Sequence, residues 1–218
     1  MSKQSRSISR SARPAGRSRT AAGPDSRQRM IEATIELMRG SGLSGAGINE
    51  IVRESAAPKG SVYHFFPAGK QQIVSEALVD YAGRVRQFID VALSSRRLPA
   101  QKVRALFDAF AQRVEAGQFR RSCAFGAVCL DLDADLDALR VVIADAFDDW
   151  QTLIAGHFDL GDASRTRSFS GVVLTAIEGA YIRARAEQSS RPFREAGAWL
   201  GELVIPRSGT ARASRLHG

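Results

Sequence analysis

The spacing of apolar residues constrains the fold of this chain more than any other feature of its sequence. Apolar side chains recur at intervals of three and four residues almost throughout, as at Ile31, Ile35 and Met38, and no stretch alternates with a period of two for long. Intervals of three and four place side chains on one face of an α-helix, whereas a half-buried strand requires alternation. The sequence therefore predicts an all-α protein with about nine helices.

Capping residues, glycines and prolines set the expected ends of these helices. Asp25 caps the first helix together with Gln28 three residues later, and Gly40 and Gly42 end it. Pro58 suits the first turn of the third helix, because its missing N–H group would have no partner there. In chain order, helices are expected from about 25 to 40, 48 to 55 and 58 to 65, then from 70 or 71, from 99, and over 122–131, 136–158, 163–187 and 192–204.

The positive charge of the chain lies in its two ends. The formal net charge is +8, yet residues 1–24 hold six basic and no acidic side chains, and residues 206–218 hold three arginines and no acid. Between these two ends, 22 basic residues stand against 23 acidic ones. We therefore expect a disordered basic tail over 1–24, domains over 25–72 and 73–205, and a disordered tail over 206–218.

The N-terminal tail has too few apolar residues to fold by burial, and three interpretations of it stay open. It is a polycation that lies along phosphates or enters a minor groove, a solvated leader without a role, or an organelle transit peptide. No apolar run approaches the roughly 18 residues that span a bilayer, so we expect no membrane partner and a cytoplasmic location. Cys123 and Cys129 are too few for a thiolate zinc site, and packing in the core is favoured over redox sensing.

Residues 47–66 match the plan of a helix-turn-helix, which needs a scaffold helix, a tight turn and an exposed second helix. Ile48, Ile51 and Val52 form an apolar face on the first helix, as Val62 and Phe66 do on the second. Gly60 has no side chain and would let the backbone approach a duplex closely. The residues left for the open face of the second helix are polar or amphipathic: Lys59, Ser61, Tyr63 and His64. This pattern indicates DNA binding.

The run from Asp25 to Leu78, above all PKGSVYHFFPAGKQQIVSEAL, resembles the DNA-binding domain of the tetracycline-repressor (TetR) family. The Pro-Ala-Gly-Lys insertion before the fourth helix is similar to the LmrA-like branch of that family. The likeness is close over about a quarter of the chain, and the remainder fits the family's divergent ligand domain in length and helix order only. The resemblance implies an N-terminal three-helix helix-turn-helix domain followed by a helical ligand-binding and dimerisation domain.

The resemblance also implies roles for individual residues. Lys59 would contact a base edge or a phosphate, and Lys70 would meet a phosphate at the start of the fourth helix, where the helix dipole favours anions. Ser61, Tyr63 and His64 would hydrogen-bond phosphates or base edges, although packing against aromatic neighbours stays an alternative for His64. Because phosphate contacts carry no sequence information, specificity would come mainly from Lys59, Gly60, Ser61 and bridging water.

Two residues depart from the family's usual pattern. Ala56 stands in the turn where the family usually has glycine, which costs about 1 kcal/mol if that position needs a left-handed backbone. Gly47 replaces the usual Ser or Thr cap of the second helix, at a cost of at most a few tenths of a kcal/mol, roughly. Neither departure is large enough to prevent the fold.

The C-terminal helices are expected to enclose an apolar pocket for a small effector. Its candidate lining residues, for most of which plain core packing is the alternative, are Phe107, Phe110, Phe125, Cys129, Phe147, Trp150, Ile154, Ile177 and Tyr181. The last two helices are rich in small residues, which suits close packing against a symmetry mate, with packing inside one chain as the alternative. These residues are Gly171, Ala176, Gly179, Ala180, Ala184, Gly197, Ala198 and Gly201.

Enzyme signals in the sequence are weak. Residues 40–45 read Gly-Ser-Gly-Leu-Ser-Gly, but this dinucleotide pattern follows a helix rather than a strand, so we interpret it as a flexible loop. The alternating acids Asp131, Asp133, Asp135 and Asp137 lack the Gly and Glu of a calcium loop and are expected to cap the helix that follows. With three histidines in the chain and no nucleophile elbow, a hydrolytic triad has little support.

The sequence thus predicts a homodimeric DNA-binding transcriptional repressor that is released from a palindromic operator by a small lipophilic or aromatic ligand. No cofactor or metal is expected. A helical adaptor without DNA binding, or a small enzyme, is kept as the alternative.

Overall fold

The structure is a computed structural model that describes residues 26–132 and 137–204. Every regular element among these residues is helical, as predicted, and they form nine α-helices and one short 3-10 turn. The helices are α1 Ser26–Gly45, α2 Ile48–Ser55, α3 Val62–Phe65, α4 Lys70–Ser94, α5 Pro99–Ala116, α6 Ala124–Cys129, α7 Asp137–Gly156, α8 Ala163–Glu187 and α9 Arg191–Leu203. The two terminal tails and the Asp25 cap lie outside the described residues. No helix in 26–132 or 137–204 is long and apolar enough to cross a membrane.

The first three helices pack around a small core that they share with the start of α4. The apolar faces predicted for α2 and α3 are confirmed, because Ile51, Val62 and Phe66 are fully buried. Met30 of α1 and Ile73 of α4 are equally buried. The start of α4 is therefore part of this core, and the expected domain boundary between 72 and 73 falls inside that helix.

The glycine-rich segment at the end of α1 is not the flexible loop that we expected. The regular helix from Ser26 breaks at Gly42, whose φ of 69° lies in the left-handed region, and a short helical segment then runs to Gly45. A Cβ atom at Gly42 would also lie 2.5 Å from Asp131 Oδ2. The break at Gly42 agrees with the expected end of the first helix at Gly40 and Gly42, and contacts from distant residues hold the segment that follows it.

The third helix does not begin at Pro58. Pro58 is extended, with φ −61° and ψ 131°, and the 3-10 turn Lys59–Ser61 separates it from α3. Both the backbone N–H and the hydroxyl of Ser61 donate to the Pro58 carbonyl, at 2.9 and 2.6 Å. This pair of bonds closes a tighter turn than an α-helix has, so Lys59 and Gly60 stand in the turn ahead of α3.

Two tight turns hold the short helices at their angles. Ala56, the residue after α2, has φ 49° and ψ 30°, so the position does require a left-handed backbone. Gly69 precedes α4 with φ 64° and ψ −138°, a conformation that favours glycine. Gln72 of α4 accepts the backbone N–H of Ala68 at 3.1 Å, which ties the preceding turn to the first turn of the helix. These turns fix where α3 lies relative to α2 and α4.

The C-terminal helices form a second, larger core. Helix α5 packs against α9, and α7 packs against both α4 and α8. Gly197 and Gly201 of α9 lie against α5, and a Cβ atom at Gly197 would be 2.6 Å from the Cβ of Phe107. These two small residues therefore serve packing within the chain rather than contact with a second copy. Packing within the chain was the alternative that the sequence left open.

Two further expectations were wrong in part. Cys123 is buried as expected, but Cys129 is exposed at the end of α6. Asp137 lies in the first turn of α7 as expected, whereas Asp131 does not cap that helix, because its carboxylate accepts the backbone N–H of Ser44 at 3.0 Å. Asp133 and Asp135 lie outside the described residues.

Candidate nucleic-acid interface

The 3-10 turn and α3 present their polar side chains to solvent. Lys59, Gly60 and His64 are exposed, and Tyr63 is 64% exposed although it is a large aromatic residue. The His64 ring meets Phe65 edge-on at 5.0 Å between centroids, so it combines an aromatic contact with an open ring edge. Burial of Val62 and Phe66 on the other face of the same segment fixes this orientation.

Ser61 is half-buried and differs from its neighbours. Its hydroxyl already donates to Pro58, which leaves its oxygen lone pairs as acceptors. Because a phosphate offers only acceptors, a phosphate contact would require this hydroxyl to rotate away from Pro58. The structure thus places Ser61 at the edge of the surface that Lys59, Tyr63 and His64 form.

Lys70 lies at the first position of α4, as the sequence predicts, but its side chain is partly buried. Its Nζ donates to the backbone carbonyl of Leu43 at 3.0 Å, which joins the start of α4 to the end of α1. An ammonium group carries three donors, so two remain for other partners. The expected phosphate contact of Lys70 stays a prediction.

The local charge at this surface is positive although the domain as a whole is not. Residues 25–80 contain six basic and seven acidic side chains, but residues 55–75 contain two lysines and no acid. Acidic residues lie instead around a groove of about 490 Å³ between α1 and α2, at Glu32, Glu36 and Glu54. The segment from Ser55 to Ser75 is therefore the part of the domain that suits an anionic partner.

Two arginines of α1 support the recognition segment, and this role was not identified from the sequence. Arg27 forms an ion pair with Glu76 of α4, and its guanidinium lies 5.3 Å from the centre of the Phe66 ring. Arg29 Nε donates to the carbonyl of Ser55 at 3.1 Å. These partners are far apart in the chain, and only the packing of α1 on its neighbours brings them together.

The structure brings eight of the nine candidate effector-binding residues into the larger core, mainly as two aromatic groups. Phe125, Phe147 and Trp150 contact one another with ring centroids 5.1 to 5.9 Å apart. Phe110 and Tyr181 form the second group at 5.9 Å. Phe107, Ile154 and Ile177 are buried, whereas Cys129 is exposed and stands apart.

A cluster of polar side chains lies beside these rings, and its carboxylate, that of the half-buried Glu178, was not identified from the sequence. The thiol of Cys123 donates to the carboxylate of Glu178, and burial raises the pKa of Glu178 to about 7. Burial also raises the pKa of the Cys123 thiol well above its usual range. The hydroxyl of Tyr181 is buried without a hydrogen-bond partner among the described residues, which is a costly arrangement. Cys123 and Tyr181 were named from the sequence, whereas Glu178 lies in no motif and nothing in the sequence marks it.

Comparison with known proteins gives a match in the N-terminal helices and another in the C-terminal helices. Residues 30–77 match the model for bacterial regulatory proteins of the tetR family, and residues 99–198 match the C-terminal domain of LmrA/YxaF-like transcriptional regulators. An uncharacterised helix-turn-helix-type transcriptional regulator of Mycobacterium tuberculosis is 31% identical over 186 residues, which cover 82% of this chain and 94% of that protein. The chain belongs to the TetR family. Its LmrA-like C-terminal domain confirms the branch that the sequence indicated.

Solved structures share the fold of this TetR-family protein. A regulatory protein TetR from Rhodobacter sphaeroides has a TM-score of 0.74 at 22% identity, covering 83% of this chain and 99% of that one. The TetR family regulator CifR, crystallised with a 26-base-pair operator duplex, has a TM-score of 0.71 at 15% identity, covering 84% and 98%. These structures show the fold, whereas membership of the TetR family identifies the chain as a transcriptional regulator with a DNA-binding helix-turn-helix rather than an enzyme.

Proposed function

We propose that this regulator is a homodimeric repressor that binds a palindromic operator and leaves it when a small lipophilic or aromatic ligand binds. Residues 25–72 would contact DNA, and residues 73–205 would hold the ligand and the dimer interface. The observation that carries the proposal is the exposed set Lys59, Tyr63 and His64 on a segment that contains no acidic residue. The protein would act in the cytoplasm, by covering a promoter.

Recognition of base sequence would fall to the few groups that reach base edges. Lys59 and Gly60 stand in the 3-10 turn, ahead of α3, where a segment entering the major groove makes its first contacts. Tyr63 and His64 lie one turn further on and suit phosphate oxygens. Lys70 and Ser61 would join them once their bonds to Leu43 and Pro58 are exchanged for bonds to phosphate.

Dimer formation would use the outer face of α8 and α9, which we call the α8–α9 surface. Its members are apolar or small and exposed: Val172, Thr175, Gly179 and Ile182 on α8, and Trp199 and Leu203 on α9. Ile182 is 67% exposed and Trp199 71%. Spacing of three and four residues along α8 puts its four members on one stripe. An apolar stripe of this kind suits an isologous contact with a second copy.

The effector would bind among the aromatic rings between α5, α6, α7 and α8. The rings of Phe125, Phe147 and Trp150 provide apolar contact, and the unpartnered Tyr181 hydroxyl provides a polar anchor. A ligand that favours one separation of the two recognition segments would change operator affinity by linkage, typically by about 1–3 kcal/mol.

Selection of bound DNA from a random pool tests the proposal directly. We expect an inverted repeat whose half-sites lie about 34–36 Å apart, or a multiple of that, because a two-fold dimer presents two recognition segments. The matched control is Lys59→Ala, which should select weakly or not at all. Recovery of no sequence by the parent protein, or of an asymmetric single site, would contradict the proposal.

A further inference from the structure

Arg113 of α5 is a partly buried arginine without an acidic partner. Among the residues that the structure describes, its guanidinium forms no ion pair and no hydrogen bond, and it packs 5.1 Å from the centre of the Phe88 ring. The two acidic residues of α5, Asp108 and Glu115, both pair with Arg194 of α9 instead. A guanidinium carries five N–H donors, so Arg113 offers a positive charge and donors that the described part of the chain does not use.

The hydroxyl of Tyr181 is a second group without a partner, and aromatic contacts connect it to Arg113. Tyr181 is 3% exposed, and its hydroxyl has no hydrogen-bond partner among the described residues. Its ring meets Phe110 edge-on at 5.9 Å, and Phe110 meets Phe88, the ring beside Arg113, at 4.9 Å. Phe110 and Arg113 are three residues apart on α5, so their side chains are neighbours on one face. The hydroxyl and the guanidinium therefore border the same pair of rings.

The charges around Tyr181 favour an anion beside its hydroxyl. Burial raises the pKa of Tyr181 above its usual value, although the positive charges of Arg113 and Arg39 act to lower it. The hydroxyl therefore stays protonated at neutral pH and can donate a hydrogen bond. Arg39 already pairs with Glu36 at 3.1 Å, so the charge without an acidic partner is that of Arg113.

One carboxylate of the same core would oppose an anion when it is ionised. It belongs to Glu178, and burial raises its pKa to about 7. At pH 6 most of Glu178 is therefore protonated, whereas a carboxylic acid with an ordinary pKa of about 4 is ionised in water. Under that condition an acidic ligand meets the charge of Arg113 without competition from Glu178.

We propose that Arg113 and the Tyr181 hydroxyl together bind the acidic group of the effector, so that the effector is an aromatic or lipophilic carboxylate. The guanidinium would form the two parallel bonds that match a carboxylate, and the hydroxyl would donate to the same group. The rings between α5, α6, α7 and α8 would cover the apolar part of the molecule. The inference rests on the proposed function in placing the effector among these rings.

The experiment compares 2-naphthoate with 2-naphthamide by isothermal titration calorimetry of the full-length protein at pH 6, without DNA. The two probes have nearly the same shape and differ in charge. The parent protein should bind naphthoate about tenfold more tightly or more, which is the effect of a hydrogen bond to a charged group. In Arg113→Met this preference should disappear, with the affinity for naphthamide unchanged. Arg113→Lys should keep part of the preference, because lysine keeps the charge but not the paired donors.

Tyr181→Phe separates the contribution of the hydroxyl from that of the charge. It should weaken the binding of both probes by roughly fivefold, because a carboxylate oxygen and an amide oxygen both accept from a hydroxyl. Its melting temperature should not fall, since the change removes a buried hydroxyl that has no partner among the described residues. The matched control is Arg104→Met, which removes a positive charge from an exposed position on the same helix and should bind both probes as the parent does.

Three results would overturn the inference: no binding of naphthoate to the parent, equal affinity for the two probes, or a preference for naphthoate that survives in Arg113→Met. Because the titration contains no DNA, it also separates the inference from the proposed function. If naphthoate binds through Arg113 but leaves operator affinity unchanged in fluorescence anisotropy, release by the ligand fails and the acid-binding site stands. If naphthamide releases the operator and naphthoate does not, the proposed function stands and the inference fails.

Discussion

Two surfaces of this chain expose groups that a stable monomer would ordinarily bury or pair, and they differ in kind. The recognition segment, residues 59–66, exposes Lys59, Tyr63 and His64, whose hydrogen-bonding groups need a polar partner. The α8–α9 surface exposes Ile182 and Trp199, which gain only from leaving water. One surface suits a partner that is charged and sensitive to salt, whereas the other suits a second copy of an apolar face. Changes in each surface should therefore have effects that the other does not share.

The largest expected effect is that of a charge placed on the α8–α9 surface. Ile182→Glu places a carboxylate where we propose that two copies meet, and an unpaired buried charge costs about 3–5 kcal/mol. The dimer dissociation constant should rise by roughly a hundredfold or more, as measured by sedimentation velocity. Val91→Glu, at a comparably exposed apolar residue of α4, is the matched control and should leave the dimer intact. Unchanged dimerisation of Ile182→Glu would show that the α8–α9 surface is not the dimer interface.

The next largest effect is expected on operator binding by the recognition segment. Lys59→Ala should weaken operator binding by about 1–3 kcal/mol if Lys59 reads a base edge, and should leave the dimer unaffected. Arg97→Ala removes one exposed positive charge from the connector between α4 and α5 and should bind the operator as the parent does. Fluorescence anisotropy at matched salt measures both variants. A loss that is equal for every DNA sequence, with a shallower salt dependence, would assign Lys59 to a phosphate instead.

A third prediction concerns the larger core, whose contribution to the free energy of unfolding should depend on pH. Burial raises the pKa of Glu178 from 4.5 to about 7. The folded state therefore holds a proton that the unfolded state has released, and stability falls as pH rises from about 4.5 to 7 and then levels off. Glu178→Gln should remove this slope and raise the free energy of unfolding at pH 8 by at most about 3 kcal/mol. Urea unfolding at several pH values measures it, with Glu202→Gln as an exposed control that should keep the slope.

The smallest effect belongs to the turn behind the recognition segment. Ala56→Gly relieves the left-handed strain at φ 49°, but it also adds freedom to the unfolded chain. The net gain in stability should be at most about 1 kcal/mol, seen as a slightly higher melting temperature, with no change in dimerisation. Ala57→Gly is the matched control and should destabilise the protein, because Ala57 is buried. A destabilised Ala56→Gly would show that the turn carries no strain.

The sequence allowed the prediction of features that depend on near neighbours in the chain. The periodicity of Ile51, Val62 and Phe66 was enough to place the helices of the DNA-binding domain and their buried faces. The bond from Asp131 to Ser44 and the approach of Glu178 to Cys123 could not be predicted in the same way. Each joins residues more than fifty positions apart, and such contacts depend on the angle at which helices cross.

Even within the helix-turn-helix, the apolar pattern did not predict the local backbone conformation. The periodicity of apolar residues is similar for a 3-10 turn and for the first turn of an α-helix, so Lys59, Gly60 and Ser61 were assigned to the wrong kind of helix. The two hydrogen bonds from Ser61 to Pro58 decide the outcome. The break of α1 at Gly42 was predicted, but the segment expected to be a flexible loop is helical on both sides of it, and bonds from Asp131 and Arg185 to its backbone could not be foreseen from the sequence.

The two tryptophans of this chain stand at opposite extremes of environment. Trp150 is buried, and its indole N–H donates to the carbonyl of Ala82 at 3.1 Å, whereas Trp199 is 71% exposed on the α8–α9 surface. Indole emission shifts to longer wavelength in water, so the protein carries two optical reporters with separable spectra. With Trp199 replaced by Phe, the remaining signal reports on the core alone. The difference between the two spectra reports on whatever covers the outer face of α9.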